Sequence, residues 1–142
     1  TECQQRGFRA IGGIVGGTET LESGAKIENG FAFGQLRGTN ATRSNVGTIV
    51  GRGQVDITNA AGLTEIVAGG VKGTPFGASF GSFTITNVHH SATGVSVTDQ
   101  NDQSVTLSAT QQQSWWQNVL TFNFTNVWKW NASENRPELA WE

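Results

Sequence analysis

Side chains that carry chemistry elsewhere are few in this sequence and poorly spaced for it. The two histidines form one pair, His89-His90. Neighbouring residues on a strand face opposite ways, so the two imidazoles do not converge on one ion. A strand end or loop is the plain reading of both. Carboxylate pairs for glycoside chemistry must face each other at about 5–9.5 Å across a cleft. The candidates, Asp56 with Glu65 and Asp99 with Asp102, read as turn or surface residues. Asp99-Gln100-Asn101-Asp102 bunches oxygen ligands as a calcium loop does. It lacks the glycine-rich nonapeptide spacing of calcium-binding repeats, and reads as a solvated turn. The block Gly12-Gly13-Ile14-Val15-Gly16-Gly17 has the look of a phosphate loop without its Lys-Ser/Thr ending or its following helix. There is no His-Glu-x-x-His, no cysteine cluster and no Gly-x-Ser-x-Gly elbow. The single cysteine, Cys3, is left as a free thiol, an intermolecular partner, or half of a pair whose other half lies elsewhere. The expectation is a protein that is not an enzyme, with no catalytic, cofactor-binding or metal-binding residue. What remains as a contact surface is aromatic: Trp115, Trp116 and Trp130 are the residues that could touch a ligand or partner.

The elements that position these residues are marked by glycine-punctuated repeats. Ile14-Val15-Gly16 returns as Ile49-Val50-Gly51, and Gly34-Gln35-Leu36-Arg37-Gly38-Thr39 as Gly69-Gly70-Val71-Lys72-Gly73-Thr74, both after 35 residues. An internal period between about 20 and 50 residues is the mark of a repeat architecture. An Ile-x-Asn triplet occurs three times: Ile27-Glu28-Asn29, Ile57-Thr58-Asn59 and Ile85-Thr86-Asn87. In a stack of short strands the Ile points inward and the Asn sits at a turn, where it tolerates left-handed dihedrals. Stacked copies would align the Asn side chains into a ladder. No Gly-Gly-x-Val-Gly block is recognisable before Ile85, so the repeat fades after Thr74.

Short β-branched or aromatic runs between glycines read as strands: Phe8–Val15, Phe31–Leu36, Val46–Val50 and Ile66–Val71. The strand pattern continues through Ser79–Ile85, Val95–Val97 and Ser104–Ser108. No window carries a helical stripe, and frequent glycine opposes a long helix at about 1 kcal/mol each. The last segment differs. Gln111–Leu120 reads as one or two helical turns with Trp116 and Leu120 on one face, and all five tryptophans fall after residue 110. A repeat array needs its open end covered, and a non-repetitive tryptophan-rich segment suits that task. The expected organisation is a tail over 1–7, repeats over 8–110, and a capping segment over 111–142 of the same domain.

Composition narrows the class. The chain of 142 residues is one domain with room for a core. Charged residues make up 14%, with a net charge of −2 and scattered basic residues. That balance gives no electrostatic footprint for nucleic acid. Polarity comes from Thr, Asn, Ser and Gln instead, a palette suited to extracellular β-structure. No apolar run approaches ~18 residues, so no membrane span is expected. The start, Thr1-Glu2-Cys3, reads as a mature or excised piece of something longer. Three sequons, at Asn40, Asn123 and Asn131, are expected by chance in a chain so rich in Asn and Thr.

Ile11-Gly12-Gly13-Ile14-Val15-Gly16, followed by Ile27-Glu28-Asn29 and Phe31-Ala32-Phe33-Gly34, resembles the GLUG motif. Asn45–Gly51 through Asn59 resembles a second copy, with Thr48 in place of the second glycine. Phe122–Trp128 followed by Arg136-Pro137-Glu138-Leu139-Ala140-Trp141 is similar to the segment that closes many GLUG arrays, with Arg136 standing where Tyr is common. The resemblance covers about two thirds of the chain. It implies an all-β fold: a β-solenoid, a right-handed parallel β-helix with a Trp-rich C-terminal cap. It also implies an extracellular or cell-surface location in bacterial adhesin-like proteins, or in the non-catalytic region of immunoglobulin A metallopeptidases. The expected function is a structural or adhesion module with a protein or glycan surface partner. The alternatives are a carbohydrate-binding or substrate-targeting module of a secreted enzyme, and a filament subunit that associates end to end.

Overall fold

The computed structural model describes residues 9–17, 25–38, 44–68, 70–79, 83–91 and 102–141. Cys3, the sequon at Asn40, Val95–Val97 and Asp99–Asn101 lie outside the described residues. The described residues are mostly β, with parallel sheets and two short helices, and the chain divides into two compact units between Ser104 and Val105.

In the first unit the chain passes through the same three sheets in the same order. The first pass contributes β1 (Arg9–Gly12), β2 (Val15–Gly17), β3 (Lys26–Glu28) and β4 (Phe31–Arg37). The second contributes β5 (Ser44–Gly47), β6 (Val50–Gly53) and the long β7 (Asp56–Ala68). The third contributes β8 (Val71–Gly73), β9 (Phe76–Ser79) and β10 (Ile85–His90). One sheet runs β1-β5-β8 and another β2-β6-β9. In the third, β7 lies between β10 and the pair β3 and β4, and β11 (Gln103–Ser104) is added outside β10. Every pairing in this unit is parallel.

Register explains the triplets. Ile27 pairs with Ile57, and Ile57 with Ile85, so the three isoleucines stand in one column. Asn29, Asn59 and Asn87 all have positive φ, at 54, 51 and 53°. Each turns the strand in the region that Asn tolerates and β-branched residues do not. The Asn87 amide donates to Asn59 Oδ1 at 2.8 Å, the first rung of the expected ladder.

Glycines make the sharp corner between the first two sheets. A Cβ at Gly12, Gly47 or Gly73 would collide with the carbonyl oxygen three residues on, belonging to Val15, Val50 and Phe76 respectively. Gly12 pairs with Gly47 and Gly47 with Gly73, so the corner is repeated pass upon pass. The corners are also bonded to one another. Ile49 O accepts from the Ile14 and Val15 N–H groups, and Pro75 O accepts from those of Ile49 and Val50, at 2.9–3.1 Å.

This geometry corrects three expectations. The apolar runs Phe8–Val15, Val46–Val50 and Ile66–Val71 each straddle a corner instead of forming one strand. The second echo is not a spatial one: Gly34–Arg37 pair with Thr64–Ala68 of β7, whereas Val71–Gly73 pair with Asn45–Gly47. The glycine block thought absent before Ile85 is Gly73-Thr74-Pro75-Phe76-Gly77. It stands in register with Gly47-Thr48-Ile49-Val50-Gly51, Pro75 and Phe76 having replaced the aliphatic pair. Pro75 has no N–H, so the third corner lacks one donor that the first two direct at the next pass.

The core of this unit runs along the columns. Ile49, Val50, Val55, Ile57, Phe76 and Val88 are buried together, with Ile27, Phe83 and Ile85 packed against them. Each such side chain contributes about 1.5–3 kcal/mol on burial.

The second unit holds α1 (Leu107–Thr110), α2 (Gln113–Asn118) and the antiparallel hairpin β12 (Trp128–Asn131) with β13 (Arg136–Leu139). The strand expected over Ser104–Ser108 is cut short after Ser104. The Thr106 hydroxyl accepts from the Ala109 N–H and caps α1, a choice that Thr offers the backbone locally. Trp116 and Leu120 are both fully buried, but α2 ends at Asn118, so Leu120 lies beyond the helix instead of sharing a helical face with Trp116. Trp116 Nε1 donates to Thr110 O at 2.7 Å, so its one polar atom is satisfied. Phe122 links it to Trp128, with a tilted contact on one side and a parallel stack at 4.7 Å on the other.

Candidate functional site

Two places bear on function, one aromatic and one polar. In the second unit Trp115 is half-buried and meets Trp116 edge-on, with ring centroids 5.0 Å apart. Trp130 is half-buried in β12, opposite Pro137 of β13. Trp116 presents no exposed face: it belongs to the packed interior. The most exposed tryptophan is Trp141, at 70%, which sequence spacing did not single out. The sequon residues here are turn-makers. Asn123 Oδ1 accepts from the N–H groups of Thr125 and Asn126, and Asn131 Oδ1 from those of Ser133 and Glu134. The Asn131 amide donates to Glu138, which also meets Lys129 at 3.1 Å. Those two hydrogen bonds hold the Glu138 carboxyl below its usual range.

The polar place lies inside the first unit, and composition gave little warning of it. The interior position beside the corner changes from pass to pass. In the first pass it holds Gly13, and a Cβ there would meet Ala32. In the second, Thr48 packs against Gly62. In the third, Thr74 occupies the corner, and His90 takes the column of Ala32 and Gly62. The small apolar lining thus becomes polar along the stack.

The hydroxyls order the hydrogen bonds. Thr74 Oγ1 donates to Asp102 Oδ2 at 2.6 Å, which uses its only hydrogen. Thr48 Oγ1, 2.6 Å from Thr74 Oγ1, is therefore the donor of that pair. Thr64 Oγ1 donates in turn to Thr48 O. At the other end His90 Nδ1 lies 2.9 Å from Asp102 Oδ2, with side chains only 5% and 0% exposed. The contact is off the line of a hydrogen bond, and Asp102 Oδ1 has no partner among the described residues. The solvated-turn reading therefore fails for Asp102: its carboxylate is buried, and the described partners of Oδ2, Thr74 and His90, lie on the third pass.

His89 faces the other way, as strand alternation required. Its Nε2 donates to Asn87 Oδ1 at 3.0 Å, joining the Asn ladder. Burial pushes its imidazole below the ordinary 6.5; the Asp102 charge opposes the shift and His90 adds to it. The two histidines thus serve two separate networks. Among the described residues no group of three His, Cys, Asp or Glu is placed to hold a metal ion. Asp56 Oδ1 accepts from Thr84 N–H at 2.7 Å, and Glu65 accepts from Gln35, so both act as rungs between passes. No helix of the described residues is long and apolar enough to cross a membrane.

Fold and site together define a mostly β protein of parallel sheets with a Trp-rich aromatic cluster. No family model, no curated protein and no solved structure matches the chain.

Proposed function

We propose that this chain is a β-solenoid, a right-handed parallel β-helix of the GLUG kind, and a non-catalytic structural or adhesion module of a larger bacterial protein exposed at the cell surface or secreted. The observation that carries the reading is the column of Ile27, Ile57 and Ile85 with a left-handed Asn two residues after each. That arrangement ties successive passes by backbone bonds and aligned side chains, and leaves the outward residues to make contacts. The polar side chains examined for chemistry fit this role: Asp56, Glu65, Asn59 and Asn87 bond between passes. Proteinase K digestion of the purified chain tests the reading. A stiff module leaves the segment from Arg9 to Ser91 as one resistant core, with nicks confined to connections between strands. Rapid cleavage inside Asp56–Ala68 would sink it.

A second reading, a glycan-binding or substrate-targeting module, is favoured by the exposure of Trp141 and the partial exposure of Trp115 and Trp130. Titration of tryptophan emission with a panel of bacterial and host glycans separates the two. Adhesion to protein leaves the emission unchanged by any sugar, and a glycan platform shifts and quenches it. The filament reading requires passes to stack between chains, and Pro75 withholds one donor at the third corner. Light scattering over a concentration series decides it: strictly monomeric particles at high concentration exclude a filament.

A further inference from the structure

We propose that Asp102 is a lock that fastens the exit strand β11 onto the third pass, its buried carboxyl held by the Thr74 hydroxyl and against the His90 imidazole. The strand itself has little to hold it. β11 is two residues long, pairs among the described residues only with His89 and His90, and exposes both its side chains. A two-residue pairing with no buried side chain has no packing of its own to offset the entropy of ordering it. Asp102, the residue just before it, supplies what the strand lacks: a side chain with no exposed surface.

A carboxylate taken wholly out of water is costly unless a charge and hydrogen bonds compensate it. Here Thr74 donates to Oδ2, and the His90 imidazole sits 2.9 Å from the same oxygen. His90 belongs to the strand that β11 pairs with, and Thr74 to the corner of the same pass. The carboxylate is thus clamped to two elements of the third pass at once. The one other histidine that feels its charge, His89, points into the Asn ladder. When the lock opens, His89 and His90 of β10 lose their β11 partners. The lock is independent of what the module binds.

Amide hydrogen exchange on the full chain, comparing wild type with Asp102→Asn, His90→Gln and the double variant, tests it. Asp102→Asn keeps the shape and the Thr74 bond but removes the charge. Weakening the only buried anchorage described for β11 predicts faster exchange at Gln103, Ser104 and their partners in β10, on the order of 100-fold, in each single variant. Core amides at Ile57 and Val50 should change far less. The double variant should exchange no faster than the faster single, because both remove one interaction. The proposal is overturned if Asp102→Asn leaves β11 exchange within about twofold of wild type, or if the two single effects multiply. It is also overturned if the core amides accelerate as much as β11. Should Asp102→Asn fail to fold, His90→Gln alone carries the test: unchanged β11 exchange in that variant overturns the proposal.

Discussion

The two units hold themselves together by opposite means. Residues up to Ser104 rely on repetition: the same corner, the same isoleucine and the same left-handed Asn recur, and each pass bonds to the next. Residues from Val105 onward repeat nothing. They gather Trp116, Leu120, Phe122 and Trp128 into one aromatic cluster beside a short hairpin. A stack depends on backbone geometry at a few positions and spreads side-chain burial thinly. A cluster depends on one or two large side chains and is lenient about backbone. The first unit should therefore be most sensitive at glycines, and the second at a single tryptophan. All five tryptophans lie in the second unit and the chain has no tyrosine. Tryptophan emission thus reports the second unit, while far-UV circular dichroism reports mainly the strands of the first.

The sharpest way to break the comparison is at the middle corner. Gly47→Ala places a Cβ against the Val50 carbonyl oxygen and the Gly77 N–H, both of them backbone atoms that have nowhere to go. We expect a loss of more than about 3 kcal/mol, seen in urea titration followed by circular dichroism. A loss under about 1 kcal/mol would mean that the corner is softer than the stack requires. The counterpart in the other unit is Trp116→Ala, which empties the centre of the aromatic cluster. It should cost about 3–5 kcal/mol, and the remaining tryptophans should emit further to the red.

Asn59→Ala is the next test, and it separates two contributions. It forces Ala into a left-handed conformation and removes the bond from Asn87, for a combined loss of about 1–2 kcal/mol. Asn59→Gly restores the backbone freedom but not the bond, and should recover about half of that in thermal melts. The smallest effect is with pH. His89 binds its proton less tightly in the fold than in the unfolded chain. As pH falls below the ordinary 6.5, the unfolded state takes up the proton first, so the contribution of His89 is complete above that value and declines as pH falls towards the folded one. Melting temperatures of wild type and His89→Gln, measured from about pH 7.5 down to about pH 5, should diverge in slope within that window. Parallel slopes would show that His89 is protonated equally in both states.

How much of this was legible depends on how local the cause is. The Ile-x-Asn triplets were readable because side-chain alternation and the tolerance of Asn for positive φ act within three residues. The helix around Trp116 was readable for the same reason, although α2 ends at Asn118 and Leu120 lies beyond it. The corners were legible only in part. Strand β1 and strand β5 sit 35 residues apart in register, as Arg9 with Ser44, while Asn45 pairs with Val71, a shorter step. Passes of unequal length defeat a search for a fixed period, which then accepted Gly34–Thr39 and Gly69–Thr74 as equivalents although they lie in different sheets. The third corner was hidden because Pro75 and Phe76 replaced the aliphatic pair at its centre. Asp102 was the least legible of all. Its neighbours in sequence are polar turn-formers, whereas the groups that bury it, His90 and Thr74, are brought there only by the stacking. The tryptophans were readable as a group but not individually: Trp116 is interior, and Trp141 is the one that faces solvent.

The central claim is that successive passes stack in parallel with the triplets in register. Methyl-to-methyl nuclear Overhauser contacts in protein labelled at isoleucine test it most directly. Adjacent parallel strands lie about 4.8 Å apart, so in-register isoleucines bring their methyl groups into range. The stack predicts strong cross-peaks between Ile27 and Ile57 and between Ile57 and Ile85, with none of comparable strength between Ile27 and Ile85. Absence of both near-neighbour peaks, or a direct Ile27–Ile85 contact as strong as either, would contradict the account.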